Sequence, residues 1–163
     1  MRPSRWYALA VCALVTAAPL AAQTVFDRLE GAWRGNGTLM GRDARYTMTW
    51  RQSDGFAVLR FANAFAGPEG ATTPVLSAVA VYRTSPGSAE AVWLDSRGVR
   101  IEIEWEGSDS VLVAHWTAPT ESGRTTYRVI SPEEIEVVDE VSSDGTWRRF
   151  GTARYRRGDP PER

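Results

Sequence analysis

From Trp33 onward the chain alternates apolar and polar residues in short runs, and no gap between runs is long enough for a helix that crosses over a sheet. That feature decides the fold class. Period-two alternation marks strands with one buried face. Parallel neighbours would need a crossover of about a dozen residues or more. The gaps here are brief turn signals instead: Ser53-Asp54-Gly55, Ser85-Pro86-Gly87, Ser96-Arg97-Gly98, Gly107-Ser108-Asp109 and Ser143-Asp144-Gly145. The alternation is cleanest over 45–51, where Tyr46, Met48 and Trp50 share a face, and over 100–106, where Ile101, Ile103 and Trp105 oppose Glu102, Glu104 and Glu106. Further strands are expected over 33–39, 56–65, 75–83, 89–95, 111–117, 124–130, 135–141 and 146–157, with a loop rich in Gly, Pro and Thr over 66–74. Phe26 and Leu29 stand at helical spacing and predict a short helix within 24–30.

Ten strands joined as consecutive hairpins predict an all-β antiparallel meander. A flat sheet of that size leaves two open edges and one uncovered face. Closure into an up-and-down barrel removes both problems. A two-sheet sandwich is the competing architecture.

Residues 1–22 read as an address. Arg2 and Arg5 precede an apolar run that is shorter than the roughly 20 residues a membrane-spanning helix needs. The small residues ending at Ala22 suit signal peptidase, so cleavage is expected there, with export to the periplasm or the medium and no stable membrane insertion afterwards. Cys12 follows Val11, which is not the small residue a lipoprotein signal puts before its Cys. Three regions are therefore expected: 1–22 as signal, 23–157 as barrel, and 158–163 as a frayed tail.

Composition then excludes partners. The chain holds 163 residues, 19 Lys+Arg (all of them Arg), 20 Asp+Glu, one His and one Cys. Removing 1–22 takes two arginines, the Cys and no acid, which leaves 141 residues of formal charge −3. A balanced chain of this kind does not read as a nucleic-acid binder. One His and one Cys cannot make a three- or four-ligand Cys/His zinc site. The three glutamates of 100–106 alternate along one strand and read as a solvated face, whereas calcium sites gather oxygens from a tight loop. No metal and no cofactor are expected.

The segment Leu29-Glu30-Gly31-Ala32-Trp33-Arg34-Gly35-Asn36-Gly37 resembles the Gly-x-Trp opening of the calycins, the superfamily of lipocalins and fatty-acid-binding proteins. The resemblance implies that Trp33 closes one end of the barrel beneath an arginine of the last strand, for which Arg154 and Arg156 are the candidates. That pair would be structural. The ten strands look closer to bacterial lipocalin-like domains and nitrobindins than to eight-stranded lipocalins. Nitrobindins hold haem through a His, but the last strand here has none, and His115 is the sole histidine. Fatty-acid-binding proteins hold a carboxylate with an Arg and a Tyr of the final strand. Here Arg154 and Tyr155 are adjacent and point to opposite faces, so that pair is not reproduced.

A ten-strand barrel is wide enough to hold a small molecule. Inward Tyr46, Met48, Trp50, Trp105, His115 and Tyr127 are the expected lining, and a small apolar or aromatic molecule is the expected partner of a monomeric or weakly dimeric protein. The alternative is an isomerase, cyclase or lyase on the same barrel, with His115 as acid or base beside Tyr127 and Asp139. That cluster requires all three to point inward. The third possibility is an envelope protein whose side chains fill the barrel.

Overall fold

A computed structural model describes residues 24–85 and 87–158. The expected signal 1–22, Cys12, the cleavage point after Ala22 and residues 159–163 of the expected tail lie outside the described residues. The described residues open with a short helix, α1 (Val25–Leu29), and continue as β1 (Gly31–Leu39), β2 (Arg42–Ser53), β3 (Phe56–Ala66), a 3₁₀ turn (Pro68–Gly70), β4 (Thr72–Arg83), β5 (Glu90–Asp95), β6 (Arg100–Gly107), β7 (Val111–Thr117), β8 (Ser122–Ser131), β9 (Glu134–Ser143) and β10 (Thr146–Arg157). Every strand pairs antiparallel with its sequence neighbours, and β1 pairs with β10 to close the barrel. The expected barrel is therefore the observed one, and the sandwich is excluded.

Closure depends on the β1–β10 seam, which runs from Trp33↔Arg157 to Leu39↔Gly151. Gly37 sits opposite Ala153 in that seam. A Cβ at Gly37 would stand 1.9 Å from the Thr152 carbonyl oxygen. Only glycine lets the two backbones approach this closely.

The barrel is filled at one end. Helix α1 crosses it and buries Val25, Phe26 and Leu29. Phe26 packs on Trp50, Tyr82 and Trp105, with ring centroids 5.0–6.0 Å apart. Trp50 in turn meets Tyr127 edge-on at 5.5 Å. Met48, Leu59, Leu112, Ile135 and Tyr155 complete this floor, all fully buried. Burying one such side chain stabilises the fold by about 1.5–3 kcal/mol, so the floor is the mechanical base of the barrel.

Trp33 seals the helix to the wall. Its indole N–H donates to the Leu29 carbonyl at 2.7 Å. The arginine over its ring is Arg157, at 4.4 Å from the centroid. Arg157 also donates to the carbonyls of Pro132 at 2.5 Å, Glu30 at 2.7 Å and Arg28 at 3.2 Å. Gly31 makes room for it: a Cβ there would lie 2.6 Å from the guanidinium, and Gly31 has φ +121. This corrects the expectation for Arg154 and Arg156. Tyr155 points into the floor, so its two neighbours must point out. Arg154 pairs with Glu134 at 3.2 Å on the outer wall, and Arg156 is exposed.

The expected loop over 66–74 is shorter than its composition predicts, because β4 already starts at Thr72. Pro74 is tolerated there for a reason. Pro74 stands opposite Ala64 at a register shift of the β3–β4 ladder, and β4 pairs with β5 only from Ala78 onward, so it lies at an irregular edge. The wall is also uneven. β2, β4 and β10 each run 12 residues, whereas β5 has 6 and β7 has 7. The short strands lower one side of the end that α1 does not close.

Candidate functional site

That unclosed end differs from the floor in one respect. Phe61, Phe65, Trp93, Trp116 and Phe150 pack against the core, yet each stays partly exposed. They come from β3, β5, β7 and the β10 bulge between Arg149 and Gly151. Phe61 and Trp93 pair at 5.8 Å on one side, and Trp116 and Phe150 meet edge-on at 6.4 Å on the other. Tyr46 joins Phe61 (6.3 Å) to Tyr155 (5.9 Å) beneath them. The result is a partly exposed aromatic layer at the open end, above a packed floor.

Two recesses indent the rim. One, of about 490 Å³, is lined by Met40, Gly41, Glu121, Val141, Arg148, Arg149 and Phe150. The other, of about 560 Å³, lies beside the start of β4, lined largely from the outer face by Arg45, Thr47, Ala62, Ala64, Val75 and Ser77.

Two polar side chains stand on the inward face of this half. Asp139 follows Ile135 and Val137 in phase on β9, one inward position below Val141. Its Oδ1 accepts a hydrogen bond from Thr125 Oγ1 at 2.8 Å. Its Oδ2 receives no hydrogen bond among the described residues, and it occupies the space left by the absent side chain of Gly151. The residue is half-buried, and desolvation raises its pKa from 3.8 to about 6, against the opposing Thr125 hydrogen bond. The second is Asn63, only 8% exposed, whose Oδ1 has no partner. It sits directly across from Tyr46.

Tyr46, Tyr82, Tyr127 and Tyr155 all have their acidity suppressed, first by burial and further by the Asp139 charge. They remain neutral phenols at any physiological pH. Asp139 is thus the group of this interior that changes charge near neutrality.

The structure separates His115 from that interior. Leu112 and Ala114 are the buried residues of β7, and Trp116 follows them in phase over Gly123, where a Cβ would lie 2.0 Å from the indole. His115 therefore points outward, 42% exposed, with Nε2 3.4 Å from Glu106 Oε1. The expected His115–Tyr127–Asp139 cluster is not assembled: the barrel wall lies between the histidine and the other two. Tyr46 lies directly beneath the aromatic layer, between Phe61 and Tyr155. Met48, Trp50 and Tyr127 face inward as their phase requires but pack into the floor. Trp105 lies there too, against Phe26. Phe61, Asn63, Phe65, Trp93, Trp116, Thr125 and Phe150 were not among the expected lining. Phe61, Asn63 and Phe65 stand at alternate positions, which is the signal that would have found them.

The Asp139 shift has a measurable consequence. The folded chain holds this proton more tightly than the unfolded one, so stability falls as pH rises from about 4 to about 6 and stays lower above that. Asp139→Asn keeps the acceptor for Thr125 and removes the charge. It is expected to stabilise the protein by about 2 kcal/mol near pH 7.5 and by almost nothing near pH 4. Urea unfolding at the two pH values measures the difference.

Neither a protein-family model nor a curated protein matches this sequence. Solved structures do. Rv2717c from M. tuberculosis is similar over 80% of this chain and 93% of its own, at 18% identity and a TM-score of 0.56. The S-type phycobiliprotein lyase CPES from Guillardia theta is similar over 84% of this chain and 92% of its own, at 11% identity and a TM-score of 0.53. At such identities the likeness concerns the fold alone. It agrees with the closed ten-strand antiparallel barrel.

Proposed function

We propose that this protein is an exported carrier that binds a small apolar or aromatic molecule at the open end of its barrel, against the aromatic layer. The observation that carries this reading is the ring of Phe61, Phe65, Trp93, Trp116 and Phe150, packed against the core at the open end yet left partly exposed. Apolar side chains gathered at the open end and left in contact with water favour a ligand that covers them. The export half of the reading rests on residues 1–22, with their two arginines, apolar run and small-residue end. The lyase CPES shares the barrel architecture, which supports a barrel of this type accommodating ligand chemistry.

Native mass spectrometry of the protein purified from its own cells tests the reading. A discrete added mass of a few hundred daltons, lost on mild activation, is expected. Apo protein alone, together with no uptake of added aromatic compounds, would contradict it.

An enzyme on the same barrel is the second reading, and one observation favours it. The Asp139 carboxyl, with its pKa pushed up to about 6, is suited to acid–base work near neutral pH. In that reading Asp139 takes the role first expected of His115.

A further inference from the structure

We propose that the outer face of β3, β4 and β5 is where two copies of this chain meet, around a two-fold axis that runs along β4 and passes over Val81.

The first observation is that these strands are apolar on both faces. Ala78, Ala80 and Tyr82 of β4 are buried inside the barrel, yet the outward Val79 and Val81 between them are apolar too. β5 reads Ala91-Val92-Trp93-Leu94 with no polar break. Ala91 and Trp93 pack on the core, while Val92 and Leu94 face out, Leu94 with 51% of its surface in water. Val58, between the buried Ala57 and Leu59, continues this outer face onto β3. Strands that read apolar on both faces belong to sheets covered on both sides. Elsewhere the wall carries charge across its strands: Arg124 and Arg128 of β8 pair with Glu140 and Glu136 of β9.

The charges that flank the apolar face say what covers it. One row of outward residues crosses five strands: Arg51 stands opposite Val58, Val58 opposite Val81, Val81 opposite Val92, and Val92 opposite Glu102. The row reads cation, three valines, carboxylate. A two-fold axis over Val81 reverses it, so Arg51 of each copy meets Glu102 of the other, Val58 meets Val92, and Val81 meets itself. A barrel wall curves away from its contact, so short valines suit the centre and long Arg and Glu side chains suit the flanks. The next row, Thr49, Arg60, Val79, Leu94 and Arg100, obeys the same operation and lays the aliphatic stem of Arg60 on Leu94. Toward the closed end, Arg83 comes near the axis, where Glu90 of both copies stands beside it, one residue beyond the Tyr82↔Ala91 pair.

The flanking charges are free to act in this way. Arg51 and Arg60 have no ion-pair partner among the described residues. Glu102 meets Arg100 at 3.0 Å, but both heads are exposed and such a pair is weak. An anionic lipid surface suits the face less well, because Glu90, Glu102 and Glu104 line its β5–β6 side and would be repelled. Five strands about 4.8 Å apart and roughly 20 Å long give a contact face of about 400 Å² per copy, which is small for a permanent dimer, so exchange with monomer is expected.

Sedimentation velocity of the protein purified from its own cells, over about 2 to 200 µM, tests the proposal. A shift from monomer to dimer mass is expected across that range. Leu94→Asp, Arg51→Glu and Glu102→Arg are each expected to weaken the dimer at least ten-fold. The double variant Arg51→Glu with Glu102→Arg is expected to regain it to within about three-fold. The two positions lie four strands apart in one chain, about 19 Å, so that rescue arises only between copies. Monomer at every concentration, a dimer unchanged by either single charge swap, or a double variant that stays monomeric overturns the proposal. Monomer that instead floats with phosphatidylglycerol vesicles overturns it and assigns the face to a lipid surface. None of these outcomes bears on the carrier reading, because this face lies on the outside of the barrel.

Discussion

Gly37→Ala is expected to break the barrel at its seam. The added methyl would lie 1.9 Å from the Thr152 carbonyl oxygen and 2.6 Å from the Ala153 Cα. Those neighbours are backbone atoms, so no side-chain rotation relieves the clash, and β1 must move away from β10. Overpacking a rigid site costs roughly 1–3 kcal/mol and sometimes more. Separation of ladder bonds along the closing pair should put this variant at or above the upper end, about 3 kcal/mol or more. A fall of about 10 °C in the thermal midpoint is the expected reading. Gly67→Ala is the matched control. Its φ of −115 suits any residue, and its nearest neighbour would lie at 3.4 Å. It should change the midpoint by no more than about 2 °C. A Gly37→Ala protein as stable as this control would mean that the two strands are not held at the observed spacing.

Arg157→Ala is expected to cost about 3 kcal/mol, because one planar group serves four partners. Its guanidinium covers Trp33 and ties the start of the chain, through the Arg28 and Glu30 carbonyls, to Pro132 before β9. Removal leaves carbonyls without donors and uncovers the indole that holds α1 in place. Arg157→Lys should recover less than half of the loss, since an ammonium cannot stack flat and reach three acceptors at once. Arg154→Ala and Arg156→Ala should each cost less than about 1 kcal/mol, as exposed positions with at most surface ion pairs. Chemical denaturation of the four variants distinguishes the arginine that seals the barrel from its two neighbours.

The sequence carried the architecture because the strands alternate and the turns are chemically explicit. Tyr46, Met48 and Trp50 alternate with Arg45, Thr47, Thr49 and Arg51, so the buried face of β2 could be read directly. β7 offered no such contrast. Val111 and Val113 are as apolar as Leu112 and Ala114, and the phase was decided elsewhere, by Trp116 filling the space over Gly123. Phase on β7 decides where His115 goes, so the ambiguity carried into the expected site. The sealing arginine failed for a narrower reason. Four residues, Arg154-Tyr155-Arg156-Arg157, offer three candidates, and only the inward phase of Gly151, Ala153 and Tyr155 extended by two residues selects Arg157. Asn63 and Asp139 lay in readable phase with their apolar neighbours. Their open hydrogen-bonding capacity was not readable, because it depends on which donors other strands bring near.

The most direct test of a ligand site at the open end uses the tryptophans as reporters. Trp93 and Trp116 stand partly exposed at the open end, Trp33 and Trp50 belong to the floor, and Trp147 lies on the outside beneath Arg124 at 4.4 Å. Their indole N–H signals in a proton–nitrogen NMR spectrum are assignable with single Trp→Phe variants. On titration with an uncharged aromatic probe, 2-naphthylmethanol, the signals of Trp93 and Trp116 should shift in a saturable way while those of Trp33, Trp50 and Trp147 stay in place. Unmoved Trp93 and Trp116 signals, or a shift confined to Trp147, would contradict a ligand bound at the open end of the barrel.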